Sequence, residues 1–296
     1  MLDQLAQLVF NGIVVGSIIA IGGIGLTLTF GTLKIMNFAH GDYLTLGAYV
    51  TLFANLALHQ NLLVATLIGG VATALFGVIM EYVLWRPFRA RHAGIITMFI
   101  VSIGLSLMLR NAITMIWGPE FRAFDIDVFS VYQIGPLRLS PSQIIVMIVA
   151  VVGVVSIALM MARTAFGKAL RALADNRDLA AVSGIDVDRI VIYTWLLGSF
   201  LAGLAGVLQA LIQSYFDPNF GAHLLLLIFA GMILGGIGSA YGCLIGSLVL
   251  GFAMELSTWQ GFAGGLETTY KPIVAFCILI MVLLLRPQGL FGRPSG

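Results

Sequence analysis

Residues 163–190 read RTAFGKALRALADNRDLAAVSGIDVDRI, one charged island in a chain whose remainder is soluble in lipid. Arg163, Lys168, Arg171, Asp175, Arg177, Asp178, Asp186, Asp188 and Arg189 make up nine of the 28 charged residues in less than a tenth of the length. The helix formers Ala169, Leu170, Arg171, Ala172, Leu173 and Ala174, with Gly184 past the end, predict a short helix within 165–182. A helix of this polarity on a membrane protein is a surface for a soluble partner.

Outward from the island the composition decides the class. Hydrophobic residues make up 60% and charged residues 9%, against about 25% charged in soluble domains, which predicts an all-α integral membrane protein. Apolar segments fall at about 8–30, 35–57, 62–84, 94–117, 141–162, 191–216, 223–256 and 270–286, each long enough to cross ~30 Å of hydrocarbon. About eight to nine transmembrane helices are expected, in a single membrane domain over 1–296, with no polar linker to divide it. The start of the chain carries Asp3 and no basic residue, the wrong flank for a signal peptide, so the first segment reads as a retained span.

Basic residues set the sides. Arg86, Arg89 and Arg91, the island, and Arg286 with Arg293 should all face the cytoplasm. The chain must then cross an even number of times between island and tail, so 223–256 has to enter and return on one side. Gly235-Gly236-Ile237-Gly238-Ser239 supplies the break, giving a Gly-broken or re-entrant helical pair. The same parity puts the N-terminus outside, with a re-entrant 31–42 as the open alternative. Residues 118–140, external by this count, hold Pro119, Gly135 and Pro136 with alternating Phe124, Ile126 and Val128, and read either as a small β-like cap or as a plain connector.

Polar residues inside the spans are the candidates for function. Asn37, His40, Gly41 and Asp42 fall within six residues of the second segment, either lining a pathway or marking an interfacial helix start that faces cytoplasmic water, since Asp42 is about 12 Å above Lys34 on an ideal helix. Glu81 and Arg110 differ too much in depth to pair, so Arg110 is expected to snorkel outward near Trp117 and Glu81 to lie beside Arg86. Of the 35 glycines, Gly12 and Gly16, Gly231 and Gly235, and Gly238, Gly242 and Gly246 are four apart and form smooth packing stripes. Gly22-Gly23-Ile24-Gly25 repeats Gly235-Gly236-Ile237-Gly238, read either as packing or as paired broken helices at a midplane.

No zinc helix or serine elbow appears, and Phe166-Gly167-Lys168-Ala169 lacks the upstream Gly and the Ser/Thr of a phosphate loop. No ATP hydrolysis, catalytic residue, metal or cofactor is expected in this chain. Cys243 and Cys277 read as small buried hydrophobes, and His59, His92 and His223 as loop-edge residues. Basic residues are sorted by membrane side and form no nucleic-acid patch.

Four motifs in order carry a family resemblance. They are Asn37-Phe38-Ala39-His40-Gly41; the island's Gly167-x-Ala169-x-Arg171-Ala172 with Asp175-Asn176 and Gly184-Ile185; Gly235-Gly236-Ile237-Gly238-Ser239; and Arg286-Pro287-x-Gly289-Leu290-Phe291-Gly292. Together they resemble the high-affinity branched-chain amino acid ABC permeases, in particular the LivH-like member of the permease pair, including cyanobacterial neutral amino acid versions. The resemblance implies an inner-membrane importer subunit, paired with a second permease, two cytoplasmic ATP-binding subunits and an external substrate-binding protein. It makes the island the ATPase-coupling segment, with Gly167, Ala169, Arg171, Ala172, Asp175, Asn176, Gly184 and Ile185 as its residues. Substrate-pathway candidates are Asn37, His40, Gly41, Asp42, Gly235, Gly236, Gly238 and Ser239. Urea and short-chain amide permeases of the same family are the alternative. More distant readings are an ion-coupled transporter relaying through His40 and Asp42, and a passive channel using Asp217-Pro218-Asn219.

Overall fold

The computed structural model describes residues 2–125, 132–135, 137–261 and 265–291. The long helices are α1 (Leu2–Leu33), α2 (His40–Leu56), α3 (Leu62–Met80), which runs on through a π-helical turn at Glu81–Trp85 into α4 (Arg86–Ala90), α5 (Ile95–Trp117) and α6 (Pro141–Arg163). The island holds α7 (Ala165–Asp175) and α8 (Arg177–Val182); α9 (Val187–Gln213), α10 (Phe220–Gly235), α11 (Ala240–Leu256) and α12 (Lys271–Leu285) follow. Among the described residues six helices, counting α3 with its continuation as one, are long and apolar enough to cross a membrane, and α10 and α11 form one further pair bent by 117°. The number of spans therefore falls below the expected eight to nine. The long run is one bent pair, and α2 has only 17 residues because the chain ahead of it is not helical.

Local chemistry explains the helix ends. Asn61 caps α3, its side-chain oxygen accepting from the N–H of Val64 at 2.9 Å. Ser140 and Gln143 form a reciprocal capping box at the start of α6, with Pro141 in the first turn where its missing N–H costs nothing. Between α5 and α6 a two-stranded hairpin pairs β1 (Tyr132–Ile134) with β2 (Leu137–Leu139), in register Gln133 opposite Arg138. The strands thus sit nearer α6 than the alternating residues suggested; Ile126, Val128 and Pro136 lie outside the described residues. Phe124 packs on Phe216, ring centroids 5.2 Å apart, beside a backbone bridge between Arg122 and Phe216.

Glycine seams bring the helix backbones together. A Cβ on Gly25 would lie 2.6 Å from the carbonyl oxygen of Gly198, and one on Gly41 2.7 Å from that of Gly221, so α1 meets α9 and α2 meets α10 with no side chain between. Gly12 and Gly16 lie against Phe252 and Leu248 of α11, while Gly206 of α9 faces the Leu44 backbone of α2. In a bilayer, where lipid is as apolar as leucine, such close approach is a main source of helix affinity. The repeated tetrapeptide has no common structural role: Gly22–Gly25 sits inside the unbroken α1, while Gly236 (φ +110°) and Gly238 (φ +87°) form the turn between α10 and α11. Packing is therefore the reading that holds for the first copy.

The basic segments gather at one end. Arg86 pairs with Asp188 at 3.0 Å, Lys34 Nζ donates to the carbonyl of Ala174 at 3.3 Å, and Tyr241 reaches the carbonyl of Ala158. The tail returns to the same region, where the N–H groups of Leu290 and Phe291 donate to the carbonyls of Leu234 and Gly235 at 2.8 and 3.1 Å. Gly292 and Arg293 lie outside the described residues. Cys243 is buried as expected, whereas Cys277 is exposed on α12, a helix with few inward-facing positions.

Candidate functional site

α1 ends at Lys34, whose φ of +55° is a left-handed conformation that no helix continues. The next residues are not helical, and the Asn37 side-chain oxygen accepts from the N–H of Ala39 at 3.1 Å, a local turn that sets the start of α2 at His40. Non-helical chain climbs faster than the 1.5 Å per residue of a helix. His40 is consequently far from the membrane face: its Nε2 lies 2.9 Å from the carbonyl oxygen of Gly22, eleven residues before the end of α1. That is about 16 Å along the helix, near the middle of a ~30 Å core.

Asp42 reaches the same level on α5, and its partners correct the expectation for Arg110. Arg110 Nε donates to Asp42 Oδ1 at 3.1 Å, Ser106 Oγ donates to Asp42 Oδ2, and Arg110 Nη2 approaches Ser106 Oγ at 3.4 Å. The Asp42 side chain is 1% exposed and that of Arg110 26%. Arg110 does not snorkel outward. The straight-helix depth of Asp42 was too shallow, and once the chain climbs from Lys34 to His40 the two charges share a level. Asn37, His40 and Asp42 are each buried within the chain rather than on its surface.

Glu81 keeps its expected place near the basic end but takes a different partner. Both of its carboxylate oxygens accept from Arg89, through Nη1 at 3.0 Å and through Nη2, while Arg86 serves Asp188. A third buried carboxylate, Glu255, pairs with Lys271 at 2.6 Å across the α11–α12 connection. Because Asp42 is the deepest of the three, Asp42→Asn should lower transport more than Glu81→Gln. Uptake rates of the two variants, normalised to protein in the membrane, check this; equal rates would deny the midplane pair any special place.

The second group of pathway candidates lies elsewhere. Gly41 touches Leu225 of α10, and Gly235 is ten residues further along that helix, about 15 Å away. Gly235, Gly236, Gly238 and Ser239 form the turn at the basic end. A Cβ on Gly235 would overlap the Gly242 backbone, and Ser239 Oγ caps α11 by accepting from the N–H of Gly242 at 3.1 Å.

The island is two helices, not one. Asn176 leaves helical geometry (φ −154°, ψ 110°), and its side chain caps α8 by accepting from the N–H groups of Asp178 and Leu179. Gly167 lies against the carbonyls of Met160 and Met161, where a Cβ would be 2.7 and 2.5 Å away, and Arg171 donates to the carbonyl of Met161. These two residues fix α7 to the end of α6. Ala169 and Ala172 are half-buried and Asp175 is exposed. Gly184 takes the left-handed conformation (φ +87°) that ends α8, and the N–H of Ile185 donates to the carbonyl of Ala180. Outward from this scaffold stand Leu179 and Val182, 65% and 87% exposed. Two aliphatic side chains stand bare amid charge, a feature that helix propensity alone did not single out.

Apolar helices with ion pairs buried among them and a charged segment at one end describe a multi-pass membrane protein, and its relatives are permeases, transport components rather than enzymes. The chain belongs to the family described as the permease component of branched-chain amino acid transport systems, whose family model matches residues 8–283. It is 31% identical to the high-affinity branched-chain amino acid transport system permease protein LivH of Escherichia coli K12, over 98% of this chain and 96% of the relative. It is 33% identical, with the same coverage, to the corresponding protein BraD of Pseudomonas aeruginosa. The ribose import permease protein RbsC of E. coli K12 is 28% identical over 93% of this chain and 84% of that protein.

Proposed function

We propose that this chain is the LivH-like permease subunit of an ATP-driven importer for branched-chain or other neutral amino acids. A second permease completes the membrane part, two ATP-binding subunits power it, and an external binding protein delivers the solute. The observation that carries this reading is the island. Gly167 and Arg171 anchor α7 to α6, and α8 holds Leu179 and Val182 in the open, as a helix pressed by an external subunit requires. Lys34 links the end of α7 to the non-helical segment below His40, so displacement of the docked island has a direct route to the buried cluster. Asn37, His40, Gly41 and Asp42 are the pathway residues in this scheme. Gly235, Gly236, Gly238 and Ser239 shape the turn on which α10 and α11 move.

The test is uptake of labelled leucine, alanine, proline and urea by proteoliposomes holding the chain with its neighbouring-gene partners and binding protein, with and without internal ATP. ATP-dependent uptake led by a neutral amino acid is expected. Preference for urea would select the amide-permease alternative, and uptake that follows an imposed ion gradient without ATP would overturn the reading.

A further inference from the structure

We infer that Asp42 and Arg110 form a zwitterion-reading site, in which Arg110 receives the carboxylate and Asp42 the ammonium of an α-amino acid. The inference rests on the import reading above. In the structure the two side chains satisfy each other, as a solute-free site of opposite charges would.

The geometry points this way for three reasons. First, the pair is bipolar without net charge, which matches a solute carrying one group of each sign on a single carbon. Second, Arg110 is only partly enclosed. Its Nε and Nη2 are engaged at 3.1 and 3.4 Å, Nη1 has no partner among the described residues, and a quarter of the side chain is exposed at mid-height in the bundle. A guanidinium there needs water or an anion rather than lipid, and its planar fork suits a carboxylate. Third, a further polar atom lies on the pair itself: Ser106 Oγ donates to Asp42 Oδ2 and stands 3.4 Å from Arg110 Nη2. A pair serving only to pin α5 to α2 would need neither the open edge nor the spare Nη1 donor.

That simpler role makes an opposite prediction, and a double substitution separates the two. A buried ion pair that is purely structural is disrupted by removing one charge, and replacing both is often neutral because no lone charge remains. A zwitterion site stays inactive without either charge. The assembled importer in proteoliposomes, with its binding protein and internal ATP, would be compared as wild type, Asp42→Asn, Arg110→Gln and the double variant, using labelled leucine. Each single variant should lose about tenfold or more of the uptake, and the double variant should stay as low. Recovery of the double variant to within about twofold of wild type, or single variants at full rate, would overturn the inference.

Arg110→Lys covers the case in which the neutral variants fail to assemble. It keeps the charge and loses the fork, so the expected result is a raised KM for delivered leucine with intact assembly, and an unchanged KM would overturn the inference. Wild-type uptake that ignored ATP would instead sink the import reading, so the two failures are distinguishable.

Discussion

Gly206→Val is expected to yield almost no folded protein. Position 206 lies where α9 crosses α2, and a Cβ there would overlap the Leu44 backbone; at the neighbouring crossing a Cβ on Gly47 would overlap Gly203. Overpacking against a flexible side chain costs about 1–3 kcal/mol. Here the obstacle is main chain, so the helices must move apart and lose the contact along the whole seam. The check is size-exclusion profile and thermal stability in detergent, with Gly104→Val as control, since Gly104 on α5 has no atom within 4 Å of its would-be Cβ. A Gly206→Val protein that melts with the control would show that the seam does not hold the bundle.

Leu179→Asp combined with Val182→Asp should remove ATP-driven uptake while leaving the bundle intact. Both side chains are exposed and belong to a six-residue helix outside the spans, so the fold loses little. An interface anchor of this kind contributes about 2 kcal/mol or more when truncated, and a desolvated charge in its place adds to the loss. Two such changes should reduce ATPase co-purification and transport together by more than tenfold, about 1.4 kcal/mol per factor of ten. Normal co-purification with normal uptake would mean that the ATP-binding subunits dock elsewhere.

Much of the fold was legible because the bilayer enforces it. Long apolar runs must be helical, and basic residues sort by side, so the placement of the spans, the bent 223–256 pair and the charged island all follow from composition and parity. The start of α2 was not legible. It depends on a lysine in a left-handed conformation and on the Asn37 side chain closing a turn, and neither residue is a strong breaker. The site suffered from a narrower comparison: Arg110 was matched against Glu81 alone, lay too far from it in depth, and was sent toward the surface, although its acceptor is Asp42. The split at Asn176 was hidden for a related reason, since residues on both sides favour helix and only the capping geometry shows where one helix ends. Glycine spacing marked the seams but could not tell Gly22–Gly25, inside a helix, from Gly235–Gly238, at a turn.

The seams also bear on how the protein is made. α1 leaves the ribosome ahead of the other described helices, yet the partners of its glycines include Gly198 of α9 and the Leu248–Phe252 stretch of α11, more than 170 residues behind it. The turn joining α10 to α11 is likewise completed only when Leu290 and Phe291 arrive. In water, so long a wait would leave a sticky helix exposed. In the bilayer, lipid chains occupy the glycine grooves of α1 at little cost until the late helices displace them. The membrane thus acts as a holding solvent for the N-terminal half, and a truncated nascent chain ending before α11 would insert without being able to mature.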